Sequence, residues 1–195
     1  MSQEIEIEFK NLLTKEQYFE LFKAFRCDDK EVMTQENHYF DTPSFHLKGL
    51  RSALRIREKN GRHQLTLKQP VEEGILETHQ TLEQDTAEKM LNGGTLVRGE
   101  IYDILTSLKV PAEKIVHFGS LSTNRIEFPY QQGLLVLDHS RYLSKEDYEL
   151  EYEAASFSEG LKVFKKLLSS YKIDEQKADS KIERFYTEKM CQLNQ

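Results

Sequence analysis

Residues 4–10 read EIEIEFK. Strand side chains alternate with a period of two, so Glu4, Glu6, Glu8 and Lys10 share one face and Ile5, Ile7 and Phe9 the other. Glu is depleted in strands, and like charges side by side repel. A solvated outer face of an antiparallel sheet is the ordinary explanation of such a run. The alternative is chemical: the carboxylates gather round a hard divalent cation, which takes oxygen ligands.

Two further stretches repeat the pattern. YELEYEA at 148–154 puts Glu149, Glu151 and Glu153 on one face, with Tyr148, Leu150, Tyr152 and Ala154 on the other. LRIREKNGRHQLTLKQ contains Asn60-Gly61, a two-residue hairpin loop of type I′ preference. That loop pairs Lys59 with Arg62, Arg57 with Gln64 and Arg55 with Thr66, and Lys68 follows on the same face. Leu54 and Ile56 then meet Leu67 and Leu65 on the opposite face. The charged side of this hairpin is positive, whereas those of the other two runs are acidic. Single-sign faces are costly on an open surface, at a few tenths to about 1 kcal/mol per adjacent like pair. They are consistent with strands that face one another in a closed antiparallel barrel, polar inside and apolar outside, with helices covering the outer face. Acids for Mg²⁺ or Mn²⁺, together with arginines and lysines for phosphate oxygens, suit a metal-bound polyphosphate.

The elements that must position these residues can be read from the rest of the chain. Its 195 residues, 38% hydrophobic and 31% charged, suit one domain with a sizeable core. Short connections at Asn60-Gly61, 131–133 and 143–147 separate about eight predicted strands and favour antiparallel neighbours. Helices are predicted from Thr14, over TAEKMLNGG, before Pro111, and over FSEGLKVFKKLLSSY with Ser158 as its cap. The net charge of −6 argues against a sequence-neutral nucleic-acid coat as the main role. Cys27 and Cys191 form no CxxC pair and read as reduced thiols of a cytoplasmic protein. No apolar run approaches a membrane span, and the acidic start has no secretory pattern.

The chain resembles the CYTH proteins, or triphosphate tunnel metalloenzymes, a family of class IV adenylyl cyclases and thiamine triphosphatases. The likeness rests on EIEFK at 6–10 as an ExExK signature, YFDTP at 39–43, LRIR at 54–57 and the TLK ending at Lys68. Further along it rests on Arg125 in NRIEF, Asp138 in VLDHS, the late ExE run and SKIER at 180–184. The resemblance implies an α+β fold, an eight-stranded antiparallel β-barrel tunnel with flanking helices, as a single domain over 1–195. It implies Glu6, Glu8, Asp138, Glu149, Glu151 and Glu153 as metal ligands, with Glu151 common to either reading of the second ExE. Lys10, Arg55, Arg57, Lys68, Arg125 and Lys181 would hold the triphosphate, and Glu6, Glu8, Lys10 and Arg57 would carry catalysis.

The expected activity is Mg²⁺- or Mn²⁺-dependent hydrolysis of a small-molecule triphosphate, inorganic triphosphate first. Alternatives are an adenylyl cyclase, a thiamine triphosphatase and a non-catalytic polyphosphate- or nucleotide-binding module. No membrane partner is expected, and nothing in the sequence fixes an oligomeric state. Glu4 extends the acidic face, Glu77 is a possible inward acid, and the histidines, His79 among them, read as structural or exposed.

Overall fold

The structure is a computed structural model and describes residues 2–176 and 179–193. The expected span of 1–195 therefore includes five positions outside the described residues. Eight strands form: β1 (Ser2–Leu13), β2 (Met33–Asp41), β3 (Ala53–Lys59), β4 (Arg62–Pro70), β5 (Ile75–Leu82), β6 (Val116–Tyr130), β7 (Gly133–Tyr142) and β8 (Lys145–Ala154). They close into an antiparallel barrel in the order β1-β5-β4-β3-β2-β6-β7-β8. The helices among the described residues are α1 (Lys15–Ala24), α2 (His46–Gly49), α3 (Gln84–Leu91), α4 (Glu100–Ser107), α5 (Phe157–Ser170) and α6 (Lys181–Leu193). None is long and apolar enough to cross a membrane.

Contacts divide the chain into two compact units: the residues up to Ile5 with Gln35–Leu121, and Glu6–Thr34 with the chain from Ser122 onward. All three boundaries fall inside strands, in β1, β2 and β6. In the first unit the hairpin register is the one its loop demands: Arg57 pairs with Gln64, Arg55 with Thr66, Leu54 with Leu67 and Ile56 with Leu65. Asn60 and Gly61 both have positive φ, 52° and 69°, as a type I′ turn requires. Leu54, Ile56, Leu65 and Leu67 are fully buried and pack with Ala87 and Met90 of α3 and Ile101 and Leu105 of α4. Each such side chain contributes about 1.5–3 kcal/mol through burial. The Asp41 carboxylate of YFDTP caps the turn into α2, accepting from the backbone N–H groups of Thr42 (2.7 Å), Leu47 (3.0 Å) and Lys48 (3.1 Å).

In the second unit Phe9, Leu135, Leu137 and Leu150 pack with Tyr18 and Leu21 of α1 and Phe164, Leu167 and Leu168 of α5. Thr14 caps α1 through a reciprocal bond with Gln17: its hydroxyl accepts from the Gln17 N–H at 3.2 Å, and its own N–H donates to Gln17 Oε1 at 2.9 Å. The start of α5 differs from expectation. Ser156, not Ser158, takes the cap position, because the Gly160 N–H closes the first turn on the Ser156 carbonyl at 2.9 Å.

Candidate active site

β1 and β8 pair Glu8 with Glu153, Lys10 with Glu151 and Leu12 with Glu149, and paired residues share a face. β8 in turn pairs Glu149 with Asp138 of β7, which pairs with Arg125 of β6. The register thus brings Glu6, Glu8, Lys10, Arg125, Asp138, Glu149, Glu151 and Glu153 to one face of the second unit.

These residues sort into two groups. Glu6, Glu8 and Glu153 each offer a carboxylate oxygen, all within 4.8 Å of one another. Lys10 ion-pairs with Glu8, and Arg125 Nη1 is 4.0 Å from Glu153. The Glu153 carboxyl is pushed up to about 7 by burial and by the Glu6 charge, against the pull of Arg125. Burial first, and the neighbouring carboxylates second, favour its protonated form.

Asp138, Glu149 and Glu151 are instead each bound by cations, although Glu149 Oε1 is buried with no hydrogen-bond partner among the described residues. Arg125 grips Asp138 with two bonds, Nε to Oδ1 at 2.8 Å and Nη2 to Oδ2 at 2.7 Å, and reaches Glu151 Oε2 at 2.6 Å. Lys181 Nζ lies 2.9 Å from both Asp138 Oδ2 and Glu149 Oε2 and also bonds Glu151. Burial alone would raise the Glu151 carboxyl, but Lys181, Arg125 and Lys10 hold it well below the usual carboxylate range. Asp138 is likewise held down against burial by Arg125 and Lys181. Burial disfavours the Lys10 ammonium, yet Glu8, Glu151 and Glu149 outweigh it and raise its pKa.

Lys181 opens α6, whose first turn is fixed by Ser180 and Glu183. The Glu183 carboxylate accepts from the Ser180 N–H at 2.8 Å and hydroxyl at 2.7 Å. A lysine at a helix N-terminus opposes the helix dipole; here the three carboxylates compensate it. One turn on, Arg184 binds Glu149 Oε2 and Asp147 Oδ2, each at 2.8 Å. Arg184 was not among the expected site residues. Its spacing of three from Lys181, which puts both on one helix face, and the S-x-x-E box ahead of it were the signals for it.

In the first unit, β2 to β5 carry a second charged face. Tyr39, Arg55, Thr66 and His79 lie in one row across the strands, with Asn37, Arg57 and Gln64 in the next and Lys68 opposite Glu77. Arg57 Nε donates to Asn37 Oδ1 at 3.1 Å. Lys68 ion-pairs with Glu77, and Arg55 Nη2 stands 4.0 Å from Glu77 Oε2. Arg55 Nε is buried and has no hydrogen-bond partner among the described residues. The strands therefore bring Arg55, Arg57 and Lys68 to one face, with Glu77 buried beside Lys68 on it.

A closed antiparallel barrel of eight strands, with charged faces in each of its two units, defines the class of protein. Residues 4–186 match the CYTH domain family, and the chain belongs to it. It is 50% identical over 189 residues, 97% of this chain and 98% of the other, to a Bacillus subtilis protein named "Putative triphosphatase YjbK". Among solved structures it resembles a Bacillus halodurans protein described as "a putative adenylate cyclase", at 42% identity and TM-score 0.91, covering 95% of this chain and all of that one. A Hippeastrum adenylyl cyclase homologue, whose description reports a dominant triphosphatase activity, shares the fold at 23% identity and TM-score 0.78, covering 94% of this chain and 96% of that one.

Proposed function

We propose that the chain is a divalent-metal-dependent triphosphatase acting on inorganic triphosphate. One observation carries this reading: Glu6, Glu8 and Glu153 converge within reach of a single ion. Three clustered carboxylate donors fit a hard cation, Mg²⁺ or Mn²⁺. Bound there, such an ion would polarise phosphoryl oxygens and acidify an attacking water.

The chain's own cations do the rest. Arg55, Arg57 and Lys68 of one unit, and Lys10, Arg125 and Lys181 of the other, bind phosphate oxygens. The unpartnered Arg55 Nε is a donor that an anion satisfies. Arg125 and Lys181 exchange carboxylate for phosphate oxygens when substrate arrives, which frees Asp138, Glu149 and Glu151 as further metal ligands. Lys10 and Arg57 stabilise charge on the transferring phosphoryl group. The family match runs through both units, which supports their acting as one catalytic domain. The described cysteines are unbridged, which supports a cytoplasmic location.

The relative named as a triphosphatase supports hydrolysis, and the one described as a cyclase keeps a second reading in play. A cyclase would use the same grip but direct the ribose 3′ hydroxyl at the α-phosphorus. Turnover of inorganic triphosphate, thiamine triphosphate and ATP with Mg²⁺ or Mn²⁺, with products identified, separates them. Triphosphate should give the highest kcat/KM, yielding orthophosphate and pyrophosphate. Cyclic AMP formed faster than triphosphate is cleaved would replace the hydrolase by the cyclase, and no turnover of any of the three would leave a binding module.

A further inference from the structure

We propose that Glu4, Glu77 and His79 form a second metal site, suited to a transition ion such as Zn²⁺ or Co²⁺ and sharing no residue with Glu6, Glu8 and Glu153. The three offer one ligand atom each, all within 4.8 Å of one another. His79 Nε2 lies 3.1 Å from Glu4 Oε1 and 3.5 Å from Glu77 Oε2. Its other ring nitrogen, Nδ1, is engaged by the Thr66 hydroxyl at 3.0 Å in a buried contact, which fixes the ring and aims Nε2 at the two carboxylates. An outer-shell partner of this kind is what orients metal-ligating histidines.

A histidine satisfied purely for structure needs one acceptor at Nε2. Two carboxylates converging on that nitrogen bring like charges together, and a shared cation relieves them. Lys68 takes the Oε1 edge of Glu77 and Arg55 approaches Oε2, so Glu77 is already partly neutralised. A hard ion held by charge alone gains little there, whereas an ion with affinity for imidazole nitrogen gains the His79 bond. Glu77 and His79 are buried, but the Glu4 side chain is 69% exposed, so an ion can enter past it. Glu4 thereby has a role separate from that of Glu6 and Glu8, although the three alternate along the same strand.

Binding here requires no triphosphate, so the test is independent of the activity proposed above. Tag-free full-length protein, held in excess Mg²⁺ to occupy all-oxygen sites, is titrated with Co²⁺ and followed by visible absorption and calorimetry. One equivalent should bind with a nitrogen-ligand spectrum, and Zn²⁺ should displace it. His79→Gln should abolish that spectrum, with far-UV circular dichroism checking its fold. Glu4→Gln, at an exposed position, should weaken binding at least tenfold. Thr66→Val, which removes the ring's support, should weaken it about 10–100-fold. The Glu6→Gln/Glu8→Gln double variant should retain the site. Wild-type Co²⁺ affinity in Glu4→Gln and His79→Gln, or no Co²⁺ bound in the presence of Mg²⁺, would overturn the site; should His79→Gln not fold, Glu4→Gln alone decides.

Discussion

On the face formed by β7 and β8, Asp138, Glu149 and Glu151 each touch Lys181, and Arg125 and Arg184 complete their pairing. A few residues away on β1 and β8, Glu6, Glu8 and Glu153 converge with less cation beside them, and the Glu153 carboxyl is pushed up rather than held down. The two groups have the same chemistry and share strand β8, yet Glu153 is pushed up where Asp138 and Glu151 are held down. A buried acid with its cation in place belongs to the scaffold until a competitor displaces that cation. Half-buried acids that cluster with fewer cations around them are better placed to take an added one. The first unit shows the converse, with Arg55, Arg57 and Lys68 on one face with Glu77.

Lys181→Met should expose that contrast most strongly. It leaves three buried carboxylates short of a partner, and breaking a buried ion pair costs about 3–5 kcal/mol. Urea unfolding should show a loss of that size, while Glu6→Gln should leave stability unchanged or raise it by relieving repulsion. Similar small losses in both variants would erase the distinction between the two groups. Next in size is Arg57→Ala. A charge-assisted contact is worth about 1.5–3 kcal/mol, so triphosphate affinity measured by calorimetry should fall roughly ten- to a hundredfold. Lys59→Ala, beside the hairpin loop, should change it little, and equal effects at 57 and 59 would place the phosphate elsewhere. Asn37→Leu removes the bond that aims Arg57. The bond only orients Arg57, and a loss of about 1 kcal/mol would lower affinity about fivefold.

The last expected effect is confined to a pH window. Glu153 titrates near 7 in the folded chain against an ordinary 4.5. Between those values the unfolded chain has already lost its proton and the folded chain still holds it, so stability should fall as pH rises through this window. Glu153→Gln should flatten that slope, and saturating Mg²⁺ should do so too. Melting curves in chelator across this range check it, and an unchanged slope in the variant would assign the effect to other groups.

Much of this was legible because strand periodicity and turn chemistry are local. Asn60-Gly61 set the register that aligns Arg55, Arg57 and Lys68, and alternation alone set the acidic faces of β1 and β8. Which acids are compensated was not legible, because the cations come from α6, far along the chain. Lys181 stood out only through the family resemblance, and Arg184 was missed despite the capping box before it. His79 read as structural because its nearest acid in sequence, Glu77, lies two residues away on the same strand face, while Glu4 joins it from another strand. The α5 cap was misplaced by two residues because two serines flank Phe157, and only the backbone bond to Ser156 selects between them.

The central claim is that Glu6 and Glu8 serve a metal that hydrolysis requires. Orthophosphate release from inorganic triphosphate, measured with Mg²⁺ for the wild type and the Glu6→Gln/Glu8→Gln double variant, tests it most directly. The wild type should turn over substrate and stop when Mg²⁺ is chelated. The double variant should stay folded and lose activity by orders of magnitude, with partial recovery at high Mg²⁺. A double variant with wild-type activity would reduce the acids of β1 to a solvated face and contradict the account.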